Sequence, residues 1–153
     1  MHDIRPVQKR DLPAIRRVID SSELFPSEML DNMIAPFFGS NENGSIWLTS
    51  GPAEQPDTVA FCAPEPMTEG TWNLYLIAVH ADQRGAGIGT AIMRHLETHL
   101  KESGQRVLLV ETSGLPEFES TRKFYDQNGY TREARIRDFY SAGEDKIVFH
   151  RYL

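Results

Sequence analysis

The chain has 153 residues, 40% of them hydrophobic and 25% charged, with a formal net charge of −6. That length suits a single domain with one substantial core. The acidic balance excludes a general nucleic-acid binder, because phosphate backbones call for a concentrated basic face. The lone cysteine, Cys62, has no internal disulfide partner. No apolar run approaches the length that spans a bilayer. The opening Met1-His2-Asp3-Ile4-Arg5 is not an apolar leader, which points to the cytoplasm and away from a membrane.

Residues 4–7 read as a short first strand. Asp11-Leu12-Pro13 then opens a helix, with Asp11 as N-cap and Pro13 in the first turn, where a missing N–H does no harm. Leu12, Ile15, Val18 and Ile19 recur at helical spacing. A second helix is predicted over 27–38, followed by turn chemistry at 41–44 and a strand over 45–49. Asn43-Gly44-Ser45 fits a glycosylation sequon but reads as part of this turn. The Pro-rich stretch 51–57 connects to a strand over 58–63, which Pro64-Glu65-Pro66 breaks.

A strand over 71–79 leads directly into a glycine-rich segment. The helix after it places Ile88, Ala91, Ile92, Leu96 and Leu100 on one face and Arg94, Glu97 and Lys101 opposite, and Gly104 ends it. Val107-Leu108-Leu109-Val110 has the continuous apolar character of a central strand. A fourth helix over 118–128 is stopped by Gly129, and strands over 130–138 and 146–152 flank a turn at 141–145. The order β-α-α-β-β-β-α-β-α-β-β describes one domain over residues 1–153 in the α/β (α+β) class: a mixed sheet flanked by helices.

The segment Gln83-Arg84-Gly85-Ala86-Gly87-Ile88-Gly89-Thr90 carries the most chemistry. Alternate glycines permit a tight turn without Cβ atoms, and consecutive N–H groups at a helix start can converge on an anion, favoured by the helix dipole. A dinucleotide fingerprint needs a third glycine where Thr90 stands, and a P-loop needs Gly-Lys before Ser or Thr, which is absent. A turn that merely packs helix on strand does not require three glycines and Arg84. The segment reads as a pyrophosphate cradle.

Arg84-x-x-Gly87-x-Gly89 resembles the R/Q-x-x-G-x-G/A signature of the GCN5-related N-acetyltransferases, the GNAT superfamily. Leu76-Ile77-Ala78-Val79 looks like that family's fourth strand, residues 107–111 like its fifth, and Phe124-Tyr125-x-x-x-Gly129-Tyr130 like its last-helix motif. The resemblance covers essentially the whole chain. It implies a mostly antiparallel mixed sheet of six to seven strands, with the fourth and fifth splayed, and about four helices. It also implies acetyl-CoA as donor, no metal, and an amine-bearing acceptor, and it is compatible with a homodimer.

By the same resemblance, the pyrophosphate rests on the backbone of Arg84, Gly85, Ala86, Gly87, Ile88, Gly89 and Thr90. Pantetheine pairs like an added strand with Ile77, Ala78 and Val79, and the Val79 N–H faces the thioester oxyanion. Transfer to an amine needs a proton acceptor for the ammonium and a donor for the CoA thiolate. Glu111 closes the apolar run 107–110 and is the candidate base, as for the Glu at this strand's end in ribosomal-protein alanine acetyltransferases; substrate anchor and exposed strand-end residue are its other readings. Tyr125 matches the family's acid, the other reading being a core aromatic. Thr112-Ser113-Gly114-Leu115-Pro116-Glu117 replaces a stretch that commonly carries an Asn.

The remaining candidates read more plainly. His95 and His99, four apart, lack the H-E-x-x-H order and flank the apolar stripe as boundary residues. His80 reads as a loop residue and Cys62 as a small apolar one. The family's acceptor site implies residues 24–38 and Asp138-Phe139-Tyr140, where core packing and solvated charge are the competing readings. The function expected is acetyl transfer from acetyl-CoA to a primary amine through a ternary complex. A protein N-terminal or lysine acceptor, a longer acyl donor and a catalytically silent acetyl-CoA-binding module are the alternatives.

Overall fold

The computed structural model describes residues 3–153. Seven strands are hydrogen-bonded in the order β1-β2-β3-β4-β5-β7-β6. They are β1 (Arg5–Pro6), β2 (Ile46–Thr49), β3 (Thr58–Pro64), β4 (Thr71–Val79), β5 (Val107–Ser113), β6 (Thr131–Ser141) and β7 (Glu144–Tyr152). The helices are α1 (Leu12–Ser22), α2 (Leu30–Phe38), α3 (Ile88–Glu102) and α4 (Glu119–Gln127). Strands β4 and β5 run parallel, while β1–β2, β2–β3, β5–β7 and β6–β7 are antiparallel. This is the mixed sheet with four helices that the element order predicted. Among the described residues, no helix is long and apolar enough to cross a membrane.

The chain divides into two compact units, Met1–Pro64 with Tyr75–Leu96, and Glu65–Leu74 with Glu97–Leu153. In the first, the apolar stripe of α1 buries Ile15, Val18 and Ile19 against Leu30 and Ile34 of α2, Trp47, Val59, Leu76 and Ala78. Each such aliphatic side chain contributes about 1.5–3 kcal/mol by leaving water. Trp47 stacks on Phe61 of the adjacent strand, ring centroids 4.3 Å apart. Cys62 is fully buried, and burial pushes its thiol up to about 12. It stays a protonated, apolar-like filler and is no nucleophile at neutral pH.

The entry to α1 corrects the reading of Asp11. Its carboxylate does not cap that helix. It reaches back one turn to accept the Gln8 N–H at 2.7 Å and takes both arms of the Arg5 guanidinium at 2.8 Å. Residues 9–11 already form a 3₁₀ turn, so the first orphan donors appear earlier than the apolar stripe suggests. A similar turn over Ser27–Met29 precedes α2, so the helix proper starts at Leu30.

In the second unit β5 pairs with β7 through seven residue pairs, from Val107↔Tyr152 to Ser113↔Lys146. The parallel ladder with β4 takes in only four, Thr71↔Val107 to Leu74↔Val110, although both strands run on. Leu108, Val110, Tyr125, Tyr130 and Phe149 are buried here. Tyr125 packs its ring against Phe149 (5.3 Å) and Tyr130 (6.0 Å). Gly129 ends α4 at φ 87°, where a Cβ would lie 2.5 Å from Arg151 Nη1. Glycine is required there by backbone angle, whereas the guanidinium is the mobile end of a long side chain and can move aside.

Three expectations are revised in this unit. Glu97 does not lie on a solvated face: it is 8% exposed and accepts the Tyr130 hydroxyl at 2.7 Å, with Arg151 Nε at 3.8 Å. Strand β5 does not end at Glu111, because Thr112 and Ser113 still pair with Ile147 and Lys146. The last turn is shorter than predicted, with Ser141 opposite Glu144, and an irregularity lies within β6 between Ile136 and Ser141. There Asp138 adopts φ 54°, and the Asp145 carboxylate accepts its N–H at 2.9 Å and holds Arg135.

Candidate active site

In the first unit, β4 ends at Val79 and a short turn at Ala81–Gln83 leads to the glycine segment. His80 belongs to that turn: its Nδ1 accepts the Asp82 N–H at 3.2 Å, and its own N–H donates to the Asp57 carbonyl. Gly85 and Gly87 take φ 85° and 80°, and a Cβ on either would meet nothing within 4 Å. Glycine is demanded here by backbone angle rather than by close packing, so the inner side of the turn stands open. The N–H of Ala91 bonds to the Gly87 carbonyl at 3.1 Å. Among the described residues, no acceptor one turn back is shown for the N–H groups preceding it, and they head the 15-residue helix α3.

Arg84 is exposed, and its Nε donates to the Val79 carbonyl at 3.2 Å. That bond joins the strand end to the loop. Ala78 is buried, whereas Ile77 and Val79 are half-buried on alternate positions, as a strand's two-residue period dictates. One face of the β4 end is thereby fixed in the core while the other is accessible.

In the second unit, Glu111 is the fifth of seven residues in β5, opposite Val148. Its side chain is 29% exposed, and its Oε1 lies 3.2 Å from Lys146 Nζ. Lys146 is 9% exposed and its ammonium sits over the Phe139 ring, 3.8 Å from the centroid. Tyr140 completes the surroundings: burial, then the negative charge of Glu111, raises its phenol above the ordinary value. Glu111 is therefore a carboxylate with a cationic partner. No local signal in the sequence marks Lys146, because only the β5–β7 register brings it within reach.

Tyr125 is 3% exposed, and burial pushes its phenol far above the usual value. Its ring is fixed by Phe124, Tyr130 and Phe149. Among the described residues no hydrogen bond engages its hydroxyl, which stays a neutral O–H donor across the physiological range. The stretch that departs from the common Asn-bearing sequence is held by other means. Arg122 Nη1 on α4 donates to the Ser113 and Leu115 carbonyls at 2.8 Å each, and the Gly114 N–H donates to the Asp145 carbonyl at 2.9 Å.

A strand, an open glycine turn, a long helix, a parallel strand and a closing antiparallel hairpin make the scaffold of an acyl-group transferase. Residues 43–132, more than half the chain, match the family described as "Acetyltransferase (GNAT) domain". The chain belongs to this family and is an acyltransferase. It is 27% identical over 148 residues to an uncharacterized N-acetyltransferase of Methanocaldococcus jannaschii, covering 95% of this chain and 88% of the relative. It is similar to a crystal structure assigned to the GNAT family from Desulfovibrio desulfuricans, at 29% identity, TM-score 0.92 and 99% coverage of both chains. The fold is shared with a Salmonella typhimurium structure that holds its cofactor acetyl-CoA, at 17% identity and TM-score 0.81, covering 100% of this chain and 94% of the other.

Proposed function

We propose that the chain is an N-acetyltransferase that moves an acetyl group from acetyl-CoA directly to a primary amine of a small molecule or peptide. The observation that carries this reading is the open turn at Gly85 and Gly87 at the head of α3, inside the region that matches the GNAT family. Backbone N–H groups from Arg84, Gly85, Ala86, Gly87, Ile88, Gly89 and Thr90 receive the pyrophosphate, and the helix dipole adds to their field. Ile77, Ala78 and Val79 offer strand backbone to the pantetheine amides. Arg84 donates to the Val79 carbonyl, and the Val79 N–H is directed at the thioester oxygen.

Glu111 accepts the proton of the acceptor ammonium. The free amine attacks the thioester carbonyl, and its nitrogen forms the new C–N bond. The tetrahedral oxyanion collapses and breaks the C–S bond. Tyr125 protonates the departing thiolate, the amide nitrogen sheds its surplus proton to solvent, and Tyr125 and Glu111 return to their starting states by proton exchange with solvent. The donor and acceptor occupy the enzyme together, so no acetyl group is carried on the protein. The buried, protonated Cys62 is consistent with that direct route.

The test is calorimetric titration of the purified protein with acetyl-CoA, with CoA, NAD and ATP as controls, followed by CoA release with amine probes. Micromolar binding of acetyl-CoA and CoA without NAD or ATP is expected. Absence of CoA binding would remove the reading of segment 84–90.

A further inference from the structure

We propose that Lys146 is a positioning residue for Glu111: it holds one carboxylate oxygen so that the other is presented, in one fixed orientation, to the acceptor ammonium. This rests on Glu111 acting as the base. Three observations support it. Lys146 is almost wholly withdrawn from water, yet its ammonium is 3.2 Å from Glu111 Oε1. The Phe139 ring covers it at 3.8 Å, a cation–π contact strengthened by desolvation. Among the described residues, the one polar contact shown for the Glu111 carboxylate is that of Lys146 with Oε1, and no hydrogen bond engages Oε2. An ammonium so enclosed cannot exchange its carboxylate for solvent cheaply, so the pair is rigid. Its rigidity is transmitted to the one oxygen left for chemistry.

The charged and titratable groups around Glu111 come from each neighbouring element. From β7 these are Lys146 and, beyond it, Asp145, which is engaged by Arg135 and the Asp138 N–H. From β6 it is Tyr140, which also feels Glu144. Arg122 on α4 is spent on the Ser113 and Leu115 carbonyls. On the β4 side the ladder ends at Leu74, which carries no charge. Lys146 is the cation in direct contact with the carboxylate.

The experiment compares full-length wild type with Lys146→Met, Lys146→Arg and Glu111→Gln. CoA release from acetyl-CoA is followed with 2-phenylethylamine and with trialanine as acceptor probes, from about pH 6 to about pH 9. Lys146→Met should lower kcat roughly tenfold with the KM for acetyl-CoA unchanged. Lys146→Arg should restore most of the lost turnover. Lys146→Gln gives the same comparison if the Met variant does not fold.

If Glu111→Gln is slow but Lys146→Met matches wild type at every pH, the positioning role is overturned and the base reading stands. A loss that Arg does not rescue, or one accompanied by a rise in the KM for acetyl-CoA, also overturns it, as mere packing. Should Glu111→Gln turn over like wild type, or wild type release no CoA with either probe, the base reading falls and this one with it.

Discussion

Tyr130 donates its hydroxyl hydrogen to Glu97 Oε2 at 2.7 Å, joining the residue after the α4 cap to a buried carboxylate on α3. Arg151 of β7 stands 3.8 Å from the other oxygen and donates through Nη1 to the Asn128 carbonyl at 2.7 Å. A helix, a cap and the last strand thus share one charged cluster. Tyr130→Phe should lower unfolding free energy by about 1.5–3 kcal/mol, the range for a hydrogen bond to a charged group. Chemical denaturation checks this, and a loss within a few tenths would make the bond incidental.

Glu111→Gln keeps the shape of the side chain and removes its basicity. It should lower kcat by about two to four orders of magnitude and leave the acetyl-CoA dissociation constant unchanged. Paired calorimetry and steady-state kinetics would read both. Unaltered turnover from about pH 6 to about pH 9 would take Glu111 out of the mechanism.

Tyr125→Phe preserves the ring contacts with Tyr130 and Phe149 and deletes only the O–H. The melting temperature should hold while kcat falls about a hundredfold. An intact kcat would leave Tyr125 as a core aromatic.

Gly87→Ala tests the donor turn. The added methyl meets open space, so packing is untouched, but φ 80° strains any L residue by about 1–2 kcal/mol. Acetyl-CoA affinity should drop roughly tenfold, and the melting temperature should fall by only a few degrees, as seen by calorimetry and a melting curve. Equal affinity would mean the turn does not hold the pyrophosphate.

The Arg5 hydrogen bonds hold the Asp11 carboxyl below its ordinary range, with the Gln8 N–H adding to them against the effect of burial. A group whose folded value is depressed stabilises the fold above its unfolded value, about 3.9, and loses that contribution as pH falls through the lower folded value. Asp11→Asn should therefore destabilise the protein at neutral pH and flatten its stability curve in acid. Denaturation at neutral pH and in acid would detect this, and parallel curves for variant and wild type would contradict it.

What the sequence made legible was local. The α1 stripe, the glycine turn into α3, the Gly129 stop and the strand succession each depend on residues a few positions apart. Helical spacing groups Glu97 with Arg94 and Lys101 but carries no information about Tyr130, more than thirty positions on, whose hydroxyl it accepts. Glu111 was expected to end its strand because the apolar run ends at Val110. Pairing with β7 carries the strand on through Thr112 and Ser113. The same pairing supplies Lys146, so the environment of the candidate base is a property of register, which no single segment displays.

Strand β6 closes one end of the sheet, and all eleven of its residues are exposed. A border of that length would ordinarily invite another chain to zip alongside. Breaks in register between Arg132 and Ala134 and between Ile136 and Ser141 interrupt the regular spacing of its backbone groups, and Arg132, Glu133, Arg135 and Arg137 crowd it with charge. The irregularity that shapes the surroundings of Lys146 also makes the molecule's longest open border a poor template for fibrillar stacking.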